Sequence, residues 1–214
     1  MRARKVHSHR LRRLACRAVL IAAALLCLQS APSSGATFSN DPEPAPIVER
    51  KLEVADFTLK TTDGRAFNLR EYAQDKPLVI VAYVAGWCPN SNRNGHILKR
   101  LYDKYHQRGL GVVVVMEYSD PGEISIHINR IGIDYPVVVE TSRQGQRKDS
   151  QHYKYRRQAD DRRKWGTPFY VLIDSRDIER AAASPVLARR VWTVSGEIVE
   201  SEAEAFIENH LAAK

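Results

Sequence analysis

Cys88 sits where a sulfur can be made nucleophilic. It follows the apolar run Leu78-Val-Ile-Val-Ala-Tyr-Val84, which Pro77 introduces, and it lies between Gly86-Trp87 and Pro89-Asn90-Ser91. A short continuous run rich in Val and Ile reads as a strand buried on both faces. Gly86 permits a sharp change of direction. Pro89, excluded from a central strand, suits the first turn of a helix, where no backbone N–H is needed. The pattern therefore predicts that a strand ends and a helix begins around Cys88. At such a start, the unpaired N–H groups and the positive end of the helix dipole favour a thiolate over a thiol. The competing reading is a buried cysteine acting as a small hydrophobe, a common fate of an unpaired thiol.

Trp87-Cys88-Pro89 after a hydrophobic strand resembles the Trp-Cys-x-x-Cys active site of thioredoxin-like proteins. Gly166-Thr167-Pro168, placed before Phe169–Asp174, is similar to the segment that opens the next central strand in that family. The resemblance extends to the exported redoxins of the TlpA/ResA and AhpC/TSA-like group, over roughly residues 53–213. It implies an α/β, thioredoxin-like fold, a central mixed β-sheet flanked by helices, with an added N-terminal β-hairpin. Val54–Leu59, the Asp63-Gly64 turn and Ala66–Leu69 carry that hairpin. It also implies that the Thr167-Pro168 bond is cis and faces the sulfur, presenting backbone groups to an extended substrate. Trp87, Pro89 and Asn90 would line the same groove. The plainer alternative is a trans proline that merely starts a strand.

Departures from the family pattern narrow the chemistry. Ser91 stands where the second cysteine belongs. In a two-cysteine redoxin, the second thiolate attacks the mixed disulfide and releases product. A hydroxyl is a far poorer nucleophile toward sulfur, so that step is missing. Ser91 is instead expected to donate a hydrogen bond to Cys88. Thioredoxins bury an acid six residues before the active-site cysteine. This chain has Ala82 there, which leaves Glu117 or another acid to serve from a different strand. Peroxiredoxins need Thr or Ser three residues before the cysteine and Pro seven before, positions held here by Ala85 and Val81, so peroxidase chemistry is not expected. A copper chaperone of the same fold needs a thiolate at Asn92. With one cysteine and two helix-face histidines, His96 and His127, the sequence assigns no metal and no cofactor.

The chain has 214 residues and a formal charge of +8. The basic balance lies at the front: Arg2, Arg4, Lys5, Arg10, Arg12, Arg13 and Arg17 precede the first acid. Without those seven, 26 basic residues face 25 acidic ones, a net of +1. A basic front, the apolar segment Ala18–Leu28 and the small residues Ser34-Gly35-Ala36 read as a signal peptide over residues 1–36. An exported protein of the periplasm or an equivalent extracytoplasmic space follows. A membrane anchor is the alternative if the segment is not cleaved. Cys16 and Cys27 fall in the leader, so Cys88 would be the only cysteine of the mature protein, and its disulfide chemistry would be intermolecular.

Residues 37–52, rich in Pro, Ser, Asn and Glu, read as a linker, and residues 53–214 as the thioredoxin-like domain. Within it, Ile97, Leu98, Leu101, Tyr102 and Tyr105 repeat at helical spacing, Gly111–Met116 reads as a second buried strand, and Ile124, Ile128 and Ile131 mark another helix. Residues 141–164 carry nine basic residues against three acidic ones. Their later half reads as a helix reaching Trp165 with a solvated basic face. Docking of an acidic partner or membrane headgroups is the functional alternative. Tyr153, Tyr155 and Trp165 could stack on nucleobases, but export argues against a nucleic-acid partner. Residues 175–189 suggest an inserted, mobile loop before the strand Val191–Val194 and a closing helix from Glu200.

Two functions are then open. One is a monothiol thiol–disulfide oxidoreductase, with Cys88 as nucleophile, a protein disulfide or thiol as substrate, and an external thiol or reductase as resolver. The other is a redox-silent binding or chaperone-like module that keeps the groove.

Overall fold

The computed structural model of the chain describes residues 41–142, 144–181 and 184–212. The segment read as a signal peptide, residues 1–36, lies outside the described residues. Eight strands and five α-helices follow in order: β1 Val48–Ala55, β2 Thr58–Thr61, β3 Ala66–Asn68, α1 Leu69–Ala73, β4 Leu78–Val84, α2 Pro89–Tyr105, β5 Leu110–Met116, α3 Pro121–Ile131, β6 Val137–Val139, α4 Gln151–Gln158, β7 Phe169–Asp174, β8 Val186–Val194 and α5 Glu200–Ala212. No helix among them is long and apolar enough to cross a membrane.

The strands form one mixed sheet in the order β1-β8-β7-β4-β5-β6-β2-β3. β4 lies at its heart, parallel to β5 and antiparallel to β7. Every residue of these three strands is buried, as unbroken apolar runs require. Period-two alternation sends Leu78, Ile80, Ala82 and Val84 to a core completed by Leu98, Leu101 and Tyr105 of α2, Ile124 of α3 and Ile207 of α5. Val79, Val81 and Tyr83 face the other core, with Leu69 and Ala73 of α1, Tyr155 of α4 and Val54 of β1. Each fully buried Val or Leu contributes about 1.5–3 kcal/mol, so β4 is fixed from both sides. Its C-terminal end is a firm place from which to project a side chain.

The structure revises four expectations. First, the stretch assigned to a linker carries β1 from Val48, paired antiparallel with β8. Leu52 and Val54 point inward while Glu49 and Glu53 point outward to Arg190 and Arg189. Second, Val54–Leu59 is two strands, not one. The chain breaks at Asp56-Phe57, and β1 and β2 belong to opposite ends of the strand order. The hairpin itself is β2–β3. The break has a clear cause: the Asp56 carboxylate accepts from the Arg70 Nε at 2.7 Å and from Asn68 at 3.2 Å, and its N–H donates to the Pro185 carbonyl. Third, β8 starts at Val186 rather than Val191, and among the described residues of 175–189 Ile178 bridges Ala188; residues 182 and 183, part of the expected loop, lie outside the described residues. Fourth, α4 ends at Gln158, short of Trp165, because Asp160 takes a left-handed backbone with φ of 59°.

Arg70 ties the second and third revisions together. Its guanidinium, 12% exposed, pairs with Asp56 and also donates to the carbonyls of Glu179, Ser184 and Val186. Removing it strands a mostly buried carboxylate and three carbonyls. Arg70→Met is expected to lower the unfolding free energy by roughly 3 kcal/mol, read from urea denaturation. A loss below about 0.5 kcal/mol, the level of an ordinary surface change, would refute this role.

Candidate active site around Cys88

The last residues of β4 deliver the chain into a tight turn, where the Cys88 N–H donates to the Ala85 carbonyl at 3.0 Å. Gly86 is needed for closeness rather than for an unusual dihedral: a Cβ there would lie 2.6 Å from the Glu123 carbonyl oxygen. Cys88 is the N-cap of α2, in extended conformation with φ −78° and ψ 121°, and Pro89 occupies the first turn. The Cys88 carbonyl accepts from the Asn92 N–H at 3.0 Å, but its side chain caps nothing. The sulfur is turned the other way. It donates to the Thr167 carbonyl at 3.4 Å, and the Thr167–Pro168 bond is cis. Cys88 is 8% exposed and unpaired. The lone sulfur and the proline segment, 79 positions apart in sequence, therefore meet.

Three polar side chains hold the proline segment in place. His152, fully buried and stacked on Tyr83 with ring centroids 5.4 Å apart, bonds the Gly166 carbonyl through Nε2 at 3.1 Å and the Tyr118 hydroxyl through Nδ1 at 2.9 Å. Burial, with Arg156 nearby, pushes its pKa down to about 3. The ring is thus neutral, with Nε2–H donating and Nδ1 accepting from tyrosine. Arg163 donates to the Gly166 carbonyl at 3.3 Å and to the Pro168 carbonyl at 3.0 Å, straddling Thr167. Arg156, 2% exposed, pairs with the buried Asp161 at 3.1 Å and donates to the Trp165 and Arg163 carbonyls. Gly166, with φ of 65°, lies flat against that guanidinium, and any Cβ would collide with it.

Comparison with known proteins places the chain. The Redoxin family profile matches residues 49–189. The chain belongs to the Redoxin family. A curated relative, the thiol-disulfide oxidoreductase ResA of Halalkalibacterium halodurans, is 22% identical over 88 residues, 41% of this chain and 49% of that protein. The match thus spans about half the length of that relative. Among solved structures, a thioredoxin-family thiol:disulfide interchange protein from Chlorobium tepidum aligns with a TM-score of 0.52 at 19% identity, covering 76% of this chain and 97% of that one. The thioredoxin domain of a thiol-disulfide oxidoreductase from Bacteroides vulgatus aligns with a TM-score of 0.53 at 14% identity, covering 76% and 97%. At these identities the structural likeness shows the fold alone, and that fold is thioredoxin-like.

Around this redoxin's sulfur, the other sequence-marked residues fall as follows. The Trp87 indole donates to the Tyr118 carbonyl at 3.0 Å and meets Trp165 edge-on at 5.6 Å, forming an aromatic wall beside Cys88. The Asn90 side-chain oxygen accepts from Arg93, which pairs with Glu197. Thr167 is 4% exposed, and its hydroxyl is buried without a hydrogen-bond partner among the described residues. Ser91 departs from expectation. Fully buried, its hydroxyl accepts from the Ala85 N–H at 3.4 Å and holds the turn rather than the Cys88 sulfur. His127 is a helix-face histidine of α3, buried with its Nδ1 2.8 Å from the Asn92 side-chain oxygen. Among the described residues, no cluster of His, Cys, Asp or Glu could hold a metal ion. Glu117 is buried, and its pKa is pushed well up by desolvation and by Glu140. Its partners are Glu140 and Thr141, beyond the end of β6, and none of its contacts reaches Cys88.

Sequence reading missed His152, Arg156, Asp161 and Arg163 as parts of the site. One signal was present: Asp161 lies five residues after Arg156, two before Arg163 and just ahead of the Gly166-Thr167-Pro168 segment. Nothing in the sequence said that two of the nine cations turn inward.

The buried histidines set a pH dependence. His152 titrates near 3 and His127 near 4, against about 6.5 when unfolded. The unfolded chain therefore takes up protons that the native state refuses. Their stabilisation is complete above pH ~6.5 and drains away as pH falls toward 4. Glu117, protonated in the fold, has the opposite slope: its contribution is full below the unfolded value near 4.5 and shrinks as pH rises. Between pH 6.5 and 5, His152→Gln should flatten the wild-type stability profile by up to about 1.4 kcal/mol per pH unit, one proton's worth. Urea midpoints across that range measure it, and parallel profiles would show that His152 is not held neutral.

Proposed function

We propose that this redoxin is an exported, monothiol thiol–disulfide oxidoreductase that acts on protein disulfides or thiols through Cys88. The observation that carries the reading is that Cys88, the N-cap residue of α2, sets its sulfur 3.4 Å from the carbonyl that precedes a cis proline. An extended substrate strand laid along Thr167 and Pro168 can pair with backbone there while its own sulfur approaches Cys88. In this reading Trp87 and Pro89 would edge that groove, with Asn90 buried behind them. The basic front and apolar segment of residues 1–36 support export.

The exchange balances as two displacements. The Cys88 thiolate attacks one sulfur of the partner disulfide, a Cys88–partner bond forms as the partner's S–S bond breaks, and the electron pair leaves on the second sulfur. An external thiolate then attacks the partner's sulfur in the mixed disulfide and returns Cys88 as the leaving thiolate. Ser91 supplies neither step. It serves by accepting the Ala85 N–H, which fixes the turn that presents Cys88.

In the chain with Cys16 and Cys27 replaced by Ala, treatment with a protein disulfide is expected to load one partner onto Cys88, visible by non-reducing mass analysis, and a small external thiol should release it. Cys88→Ser should abolish loading, and Ser91→Cys should release the partner without added thiol. A parent chain that stays unmodified, with no gain in Ser91→Cys, would leave a redox-silent binding fold as the better account.

A further inference from the structure

The basic segment between β6 and the cis proline divides into two sets of cations with different fates. Arg156 and Arg163 turn inward to Asp161 and brace the proline segment, and Arg162 pairs with Asp160. Arg147, Lys148, Lys154, Arg157 and Lys164 remain at or near the surface, and none forms an ion pair among the described residues. Only Asp149 is left nearby as an unpaired acid of the same segment. Other exposed cations are divided: Lys51, Arg108 and Arg130, scattered over the rest of the surface, also lack an ion pair among the described residues, whereas others are paired. Arg100 pairs with Glu200, Lys104 with Glu204, Arg189 with Glu53 and Glu179, and Arg190 with Glu49.

Two of the unpaired cations stand at the aromatic wall of the groove. The Arg147 guanidinium is 5.4 Å from the Trp165 ring and the Lys164 ammonium 5.5 Å from it. Trp165 in turn abuts Trp87, the neighbour of Cys88. Lys164 is three residues from Thr167, whose carbonyl receives the thiol. An extended peptide covers about 3.3 Å per residue, so a chain crossing Cys88 carries its flank past the Trp87–Trp165 wall toward these cations.

We propose that residues 147–164 form a docking surface for the acidic flank of the polypeptide whose cysteine reacts with Cys88, so that the substrate class is an acidic protein segment. The proposal rests on the reading of Cys88 given above and adds what the groove selects. Unpaired cations clustered beside a binding site attract an oppositely charged partner, raise its encounter rate and reject basic competitors. A membrane surface fits less well. Membrane-bound basic faces carry large apolar side chains for insertion, and the one large hydrophobic residue exposed among the described residues, Ile126, belongs to α3 and not to this segment.

The test separates docking from chemistry by using peptides that cannot react. Labelled ten-residue peptides with serine in place of cysteine carry either Glu and Asp or their amide counterparts, Gln and Asn, on the flanks, and binding to the full chain is read by fluorescence anisotropy. The acidic peptide should bind about tenfold more tightly than the amide peptide, the sum of a few exposed charge pairs. That preference should vanish between about 0.01 M and 1 M salt, as the screening length drops from about 30 Å to about 3 Å. Arg147→Gln/Lys164→Gln should erase most of it, with circular dichroism and urea midpoint confirming the fold. Arg108→Gln, at the opposite end of β5, should keep it. Equal binding of the two peptides overturns the proposal, as does a salt-insensitive preference. Binding to phosphatidylglycerol vesicles with no peptide preference overturns it in favour of a lipid surface. The same peptides with cysteine, supplied as mixed disulfides, then report on Cys88: acidic preference in binding without transfer to Cys88 removes the oxidoreductase reading and leaves the docking surface standing.

Discussion

One contact organises the molecule: the meeting of the Cys88 sulfur with the Thr167 carbonyl at 3.4 Å. Neither partner can move alone. Cys88 is fixed by β4, buried from both faces, and by a turn that Gly86 packs against the Glu123 backbone and Ser91 ties to Ala85. Thr167 is fixed by β7, which pairs directly with β4 through Tyr83 and Phe169. The sheet therefore sets the distance between sulfur and carbonyl, and the turn that carries Cys88 aims the sulfur at that carbonyl rather than at the helix N–H groups. That sulfur-to-carbonyl geometry is built here without a second cysteine, with Ser91 in its place.

Much of the polar interior serves that contact from behind. His152 and Arg163 fill the carbonyl lone pairs of Gly166 and Pro168, leaving the Thr167 carbonyl to the thiol. Arg156 and Asp161 form a buried pair beneath them, and Gly166 alone can lie against that guanidinium. Buried ion pairs are costly to desolvate and worth little net stability. Their presence here is better understood as fixing one conformation of the proline segment. The same histidine, kept neutral by burial, links the segment through Tyr118 to the wall that Trp87 and Trp165 build beside the sulfur.

Legibility in the sequence followed the strength of the local signal. The three central strands were plain because unbroken Val and Ile runs have few other fates, and Pro89 marked the start of α2. Cys88 and the proline segment were found through short motifs, and the structure brings them into contact. What could not be read depended on partners far away in the chain. Alternation ran straight through Asp56-Phe57, because nothing local reveals that Arg70 claims Asp56 and ends the strand. β1 did carry a period-two pattern from Val48, but the Pro-rich residues before it masked the signal. Basic residues look alike in sequence, so the inward turn of Arg156 and Arg163 was invisible, while Ser91 was legible as a missing thiol but not as a support for the turn.

The central claim is that the fold activates Cys88 rather than storing it, and the rate of alkylation at one neutral pH decides between these. Iodoacetamide should modify Cys88 faster in the native protein, with Cys16 and Cys27 replaced by Ala so that a single thiol is followed, than in the same protein unfolded in urea. A sulfur merely packed in the interior gives the reverse order, protected when folded and reactive only on unfolding, and that result would contradict the account.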